Sequence, residues 1–235
     1  MGVFRFKDFS VDDSGCGMKI CSDSVLLAAW FLAPYISAKS IADIGAGSGV
    51  LTLLAARICP QAMVDALEID PGAAGAAAAN FAASPYAERL NTIEGDFRNW
   101  IPEHPYSLII SNPPYFTNGE RSADRARSAA RHQEGLSYES LLARASGLLE
   151  DEGHLGMVSP ADFENEIIFR AEMAGMKLRR LLRVRTSPSK APTRLLWDFS
   201  TTDGKTSTGE LALRQTDGSY SPSYRELVEK YYLKL

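Results

Sequence analysis

The residues Ser111-Asn112-Pro113-Pro114-Tyr115 follow directly on the apolar run Leu108-Ile109-Ile110, so a strand ends in a polar pair, two prolines and an aromatic. Each proline fixes its own φ and lacks a backbone N–H, and the residue before each is driven to extended geometry. The result is a stiff rim whose carbonyls have no ladder partner. A side-chain amide at Asn112, the Pro113 carbonyl and the flat ring of Tyr115 together suit a planar group carrying an amino donor, such as a nucleobase or a carboxamide. The alternative is a Pro-Pro turn that merely closes a strand.

A second group of residues stands upstream. Ser40-Ile41-Ala42-Asp43-Ile44 is a short β-like run that leads into Gly45-Ala46-Gly47-Ser48-Gly49 and then into a helical pattern from Val50 to Ile58, the nucleotide-binding order of strand, glycine loop and helix. A dinucleotide loop reads G-x-G-x-x-G and seats a pyrophosphate on a helix N-terminus; this one reads G-x-G-x-G and is preceded by Asp43. An acid there repels a diphosphate and attracts an ammonium or a sulfonium. S-adenosylmethionine carries both, so Asp43, Gly45, Gly47 and Gly49 suit that cofactor better than NAD. Glu68 ends a second strand, Met63 to Asp70, about 20 residues past the loop, where a carboxylate can accept both ribose hydroxyls. Asp96 and Phe97, after a third strand at Asn91 to Glu94, pair an acid with an aromatic that can hold an adenine by one hydrogen bond and one stack. Asn112 then stands at the reacting methyl.

These residues need a sheet to position them. Tyr106 to Ser111 gives a fourth strand and His154 to Val158 a fifth, with helical patterns opened by Pro71, from Ser137 to Glu150 and from Phe163 to Ala174. Leu182 to Arg185 and Arg194 to Phe199 each alternate like half-exposed strands without a helix between them, which predicts an antiparallel pair at one sheet edge. Before the first parallel strand, Phe4 to Phe9 begins as an alternating strand and Asp12 to Gly15 is rich in turn residues. Ser22 or Asp23 caps a helix running to Trp30. After the last strand comes a helix with Ser221 as cap and Pro222 at its first position.

Composition limits the class. The chain has 235 residues, 45% hydrophobic and 23% charged, enough for one large domain or one domain with modest appendages. No apolar stretch reaches the length of a membrane span and Met1 to Lys7 lacks the apolar core of a signal peptide, so a cytoplasmic protein with no membrane partner is expected. Cys16, Cys21 and Cys59 have no zinc spacing and His104, His132 and His154 are scattered, so no metal site is expected. Cys16 and Cys21 are read as free thiols, with pairing left open under oxidation. The net charge of −4 argues against indiscriminate nucleic-acid binding, yet two segments are basic. Arg121, Arg125, Arg127 and Arg131 stand against the single acid Asp124, and Lys177, Arg179, Arg180, Arg183, Arg185, Lys190 and Arg194 stand with no acid among them.

Taken together, Met18 to Trp30, the loop Asp43 to Gly49, Ser111 to Tyr115 and the arginine-bearing Gly119 to Arg131 resemble the tRNA(Val) adenine-37 N(6)-methyltransferases, nearly end to end. Ser24 departs from the pattern, which expects glycine there, and Cys21 is a further variation. The resemblance implies a Rossmann-like α/β class I methyltransferase. Its expected form is a mostly parallel seven-stranded sheet with helices on both faces, an antiparallel edge strand near the C-terminus and a small N-terminal extension. The extension covers residues 1–36 and the methyltransferase domain residues 37–235. It implies S-adenosylmethionine held also by Lys19, Asp23, Ala46 and Ile69, with Asn112, Pro113, Pro114 and Tyr115 at the reacting base. It also implies a tRNA gripped by Arg121, Arg125, Arg127, Arg131, Arg183, Arg185, Lys190 and Arg194, bound by a monomer. A release-factor glutamine, a guanine amino group of ribosomal RNA, a non-catalytic RNA-binding role and an NAD-linked oxidoreduction are the rival readings.

Overall fold

The computed structural model describes residues 2–17, 19–113 and 136–234. In chain order the elements are β1 (Val3–Arg5), β2 (Ser10–Asp12), α1 (Ser22–Phe31), β3 (Ser40–Ile44), α2 (Val50–Ile58), β4 (Met63–Glu68), α3 (Pro71–Ala82), β5 (Leu90–Glu94) and β6 (Tyr106–Ser111). They continue with α4 (Tyr138–Ser146), β7 (Leu149–Pro160), α5 (Glu164–Met173), β8 (Lys177–Arg185), β9 (Arg194–Ser200), β10 (Ser207–Ala212) and α6 (Pro222–Val228). β1 and β2 form an antiparallel hairpin. The remaining strands make one sheet in the order β10-β8-β9-β7-β6-β3-β4-β5.

Strands β3 to β7 run parallel to one another, and β9 is antiparallel to both β7 and β8. The sheet therefore has eight strands rather than seven, and its antiparallel strand lies inside it rather than at its edge. The physical reasons are visible in the side chains. Leu195, Leu196, Trp197, Asp198 and Phe199 are each 0% exposed, the burial of a central strand and not of a half-exposed one. Asp198 interrupts that apolar run because it is fully engaged. Tyr35 Oη donates to it at 2.8 Å, Arg180 Nε at 2.6 Å, and His154 Nδ1 lies 2.6 Å away. The edge belongs to β10, which pairs in parallel with β8 and buries only Leu211 fully, so its sequence carries almost no hydrophobic period.

The sheet divides the core in two. On one face Ile41, Val64, Ala66, Leu108 and Ile110 pack against α1, α2, α3 and α6; on the other Ala42, Ile44, Leu67, Ile109 and Met157 pack against α4 and α5. Alternate residues of one strand thus serve opposite layers. α1 buries Ser24 through Ala29 with no polar face, because the sheet, α2 and α6 enclose it. Its cap is Cys21, without a side-chain bond, since the Asp23 carboxylate is turned to Arg194 instead. α3 does have its expected cap: Asp70 Oδ1 accepts from Ala73 N at 2.8 Å, with Pro71 at the first position. Among the described residues no helix is long and apolar enough to cross a membrane.

Gly49 closes the β3–α2 turn at φ +79°, and a Cβ there would overlap the Phe81 ring on α3. Gly49→Ala is expected to cost about 2–4 kcal/mol from overpacking and the left-handed backbone together. In a thermal unfolding experiment that should lower Tm by roughly 5–15 °C; an unchanged Tm would mean that Phe81 swings clear and that the left-handed backbone at this position relaxes as well.

Candidate active site

β3 and β6 are adjacent, but their connections run to opposite sides of the sheet, so a crevice opens beyond their carboxyl ends. Asp43 is registered with Ile110, and Asn112 follows two residues later. The Ser111 hydroxyl donates to the Ile44 carbonyl at 2.7 Å, closing the pair with a side chain where the backbone ladder stops.

The glycine loop is held in place by strand β4. Gly45 N and Ala46 N both donate to the Leu67 carbonyl, at 2.9 and 3.1 Å, and Gly47 N donates to Glu68 Oε2 at 2.8 Å. Gly45 and Gly47 sit at φ +75° and +57°, and a Cβ on either would meet nothing within 4 Å, so bare backbone faces open space. Below the loop Asp43 is 1% exposed. Its Oδ2 accepts from Thr52 Oγ1 at 2.6 Å, while Oδ1 is buried with no hydrogen-bond partner among the described residues. Burial pushes this carboxyl up to about 7; the Thr52 hydroxyl opposes that shift and the Glu68 charge adds to it. A buried acid with one oxygen left over is an arrangement that a cation completes.

Glu68 is 9% exposed and does two structural jobs, taking Gly47 N on one oxygen and Asp70 N at 2.9 Å on the other. Each oxygen keeps a second lone pair for a hydroxyl donor. Ile69 beside it is 56% exposed and supplies an apolar surface at the end of β4. Across the β4–β5 pair, Asp96 is engaged by the Arg98 guanidinium, at 2.9 and 2.6 Å to Oδ2, which holds its carboxyl below the usual range. The Phe97 ring is 5% exposed and belongs to the core with Trp100, so as placed it offers a wall and not an open stacking face.

The N-terminal extension reaches this crevice. Lys19 Nζ is bound to the Asp13 carbonyl at 2.8 Å and carboxylate at 3.2 Å, and Asp13 also accepts Ile20 N at 3.1 Å. Arg194 Nε bonds Asp23 Oδ2 at 3.0 Å. Asn112 is half-buried; its Nδ2 donates to Ser24 Oγ at 2.9 Å and lies 3.4 Å from Cys21 Sγ. Pro113 is buried, while Pro114, Tyr115, Arg121, Arg125, Arg127 and Arg131 lie outside the described residues.

One residue with a positioning role escaped the sequence reading. Asn80 on α3 donates to the Ser48 carbonyl at 2.9 Å and the Asp12 carbonyl at 3.0 Å, and its Oδ1 accepts Asp12 N at 2.9 Å. One side chain thus ties the N-terminal hairpin to the glycine loop. Its trace in the sequence is a lone amide ending a run of alanines. The second basic segment is mostly answered within the protein. Arg183 pairs with Glu164, Arg185 with Glu210 at 2.6 Å, Arg180 with Asp198 and Arg194 with Asp23, whereas Lys190 is exposed and forms no ion pair among the described residues. The described residues hold no group of three or more His, Cys, Asp or Glu side chains that could bind a metal.

Residues 16–178 match the family described as the methyltransferase small domain. The tRNA1(Val) (adenine(37)-N6)-methyltransferase of Tolumonas auensis is 40% identical over 233 residues, covering 99% of this chain and 97% of the relative. The proteins of the same description from Porphyromonas gingivalis and Yersinia pestis are 39% and 38% identical over 98–99% of this chain and 94% of their own lengths. Among solved structures, a predicted O-methyltransferase from Agrobacterium tumefaciens superposes with a TM-score of 0.70 at 18% identity, over 91% of this chain and 99% of that one. A glycopeptide N-methyltransferase in complex with S-adenosyl-L-methionine superposes at 0.57 and 13% identity, over 77% and 95%. At these identities the solved structures speak for the fold, a Rossmann-like methyltransferase sheet. The full-length relatives speak for more, and the chain belongs to the methyltransferase small domain family, among the tRNA1(Val) (adenine(37)-N6)-methyltransferases.

Proposed function

We propose that this chain transfers a methyl group from S-adenosylmethionine to the exocyclic amino nitrogen of adenine 37 in the anticodon loop of a valine tRNA. It acts as a monomer in the cytoplasm. The observation that carries the reading is that Asp43, a buried acid whose Oδ1 has no hydrogen-bond partner among the described residues, is registered with Ile110, two residues before the Asn112 amide at the carboxyl edge.

The crevice residues fit the cofactor by their own chemistry. Asp43 gains a positive partner, the open backbone at Gly45 and Gly47 admits a close approach, and Glu68 has lone pairs left for ribose hydroxyls. Asp96 and Ile69 flank the adenine side, and Lys19 and Asp23 border the entrance on the extension. When bound, S-adenosylmethionine supplies an electrophilic methyl on a cationic sulfur.

The substrate nitrogen is a poor nucleophile because its lone pair is delocalised into the adenine ring. Asn112 Oδ1 and the Pro113 carbonyl accept its two N–H bonds, which fixes the nitrogen in line and favours a pyramidal geometry. Tyr115 stacks on the base, a role read from the sequence. The proton leaves the methylated nitrogen for water. A base 3′ to the anticodon is in a single-stranded loop, so extruding it costs less than opening a duplex. RNA contact rests first on Arg121, Arg125, Arg127, Arg131 and Lys190, because a phosphate reaching Arg183, Arg185 or Arg194 must displace an acid.

Incubation with labelled methyl donor and separated transfer RNAs is expected to place label in valine tRNA as N(6)-methyladenosine. Label confined to protein would overturn the reading in favour of a glutamine substrate. Asn112→Ala should lower kcat by about a hundredfold or more while cofactor affinity changes little.

The Asp43 carboxyl gives cofactor binding a pH dependence. Its native value of about 7 lies above the ordinary 3.8, so between those values the free folded protein holds a proton that the unfolded chain lacks, and its stability falls as pH rises through that window. A bound cation favours the ionised acid, so calorimetry should show affinity for S-adenosylmethionine rising roughly tenfold from pH 6 to pH 8. Asp43→Asn should bind weakly with a flat profile. A flat profile in the unaltered protein would mean that Asp43 does not face the cationic group.

RNA affinity should fall steeply with salt. Lys190→Ala should reduce the slope of log affinity against log salt by about one, and Arg183→Ala should leave it nearly unchanged. The reverse ranking would mean that RNA opens the Arg183–Glu164 pair.

A further inference from the structure

We infer that Ser24 is a positioning residue for Asn112, fixing the plane of its amide so that the carbonyl oxygen faces the substrate; this rests on the reading of Asn112 as acceptor for the target amino group. An asparagine amide is planar, with an acceptor at one end and a donor at the other, and it turns about a broad two-fold torsion. Only one of its two in-plane orientations serves an amino substrate. Asn112 has left the β6 ladder, and its Nδ2 donates to Ser24 Oγ at 2.9 Å with Cys21 Sγ at 3.4 Å on the same side.

The hydroxyl comes from a rigid support. Ser24 is 5% exposed in the first turn of α1, and Val25, Leu26, Leu27, Ala28 and Ala29 behind it are each 2% exposed or less. With the amino end of Asn112 anchored to α1, its oxygen points away from that helix. A serine hydroxyl can also serve the reversed amide, but that orientation would set an NH2 against the donor amino group of the substrate, so the substrate selects the carbonyl-out form. Glycine in place of Ser24 leaves a space that one water can fill between Asn112 and the helix, whereas alanine fills it with a methyl that cannot accept a hydrogen bond.

Two variants and a spectroscopic readout test this. Ser24→Ala is expected to lower kcat by about ten- to thirtyfold with KM for tRNA and affinity for S-adenosylhomocysteine within about twofold, and Ser24→Gly to lose no more than about threefold. On an Asn112→Ala background, Ser24→Ala should cost nothing further. The side-chain amide of Asn112 is followed by NMR, assigned from the signal that Asn112→Asp removes. Its protons should exchange slowly in the unaltered protein and faster in Ser24→Ala. Unchanged amide shifts and exchange in Ser24→Ala would overturn the inference whatever the substrate is. Equal losses in the alanine and glycine variants accompanied by weakened cofactor binding would also overturn it, marking Ser24 as a packing residue. Failure of the unaltered protein to methylate any tRNA would overturn the substrate reading alone, since the NMR comparison is independent of substrate.

Discussion

The structure depends on the divergence of β3 and β6 at their carboxyl ends. Two hydrogen-bonded strands that part company leave backbone groups with no ladder partner, and each of those groups must be satisfied in another way or be offered to a ligand. Ser111 satisfies the Ile44 carbonyl with its hydroxyl, and Leu67 accepts the N–H groups of Gly45 and Ala46. The loop that results has left-handed backbone at Gly45, Gly47 and Gly49, and the chain leaves β6 after Ser111 toward Pro113, which lacks the N–H to rejoin a ladder. Both halves of the site are therefore built from chain that the sheet has released.

Acids at this edge support the loop backbone and keep acceptor capacity in reserve. Glu68 fixes the Gly47 and Asp70 amides with a lone pair to spare on each oxygen, and Asp43 is bonded on one oxygen and has no hydrogen-bond partner on the other among the described residues. Burying such groups costs free energy that only a suitable partner offsets. The protein keeps that cost low in the free state by holding Asp43 near 7, where protonation removes the charge at little expense. Asn80 extends the same economy to the N-terminal hairpin, since one amide satisfies backbone groups of both the hairpin and the glycine loop.

Sequence made the parallel half of the fold legible because its signals are local. β3, α2 and β6 begin and end at the residues their patterns indicate, and Pro71 and Ser221 mark helix starts that the structure keeps. What sequence hid depends on partners distant in the chain. β2 and β10 are short or exposed and carry little periodicity, and Asp198 makes β9 read as half-exposed because Tyr35, His154 and Arg180 come from three other segments. In the candidate site, the glycine loop, the strand-ending acids and Asn112 stand out by residue type. Their supports, Thr52, Ser24, Asn80 and Arg98, do not, because each acts through a bond that only the folded chain creates.

The same distinction governs charge. A run of seven cations between Lys177 and Arg194 reads as a strongly positive surface in sequence, but a β-strand sends successive side chains to opposite faces, so the run is divided as soon as it folds. Arg180 turns inward to Asp198, Arg183 meets Glu164 from α5, Arg185 meets Glu210 from the neighbouring strand β10, and Arg194 crosses to Asp23 on α1. Each guanidinium then serves to join two elements, and its field is cancelled within a few ångströms. An RNA backbone approaching this face meets dipoles and not a sheet of positive charge. Attraction at range must come from cations whose charge is not cancelled nearby, which confines long-range steering to a smaller part of the surface than the composition suggests. The Arg194–Asp23 pair is the exception in place and not in charge. It joins the start of β9 to the helix that bears Ser24, so a phosphate that drew Arg194 away would act on the same support that holds Asn112.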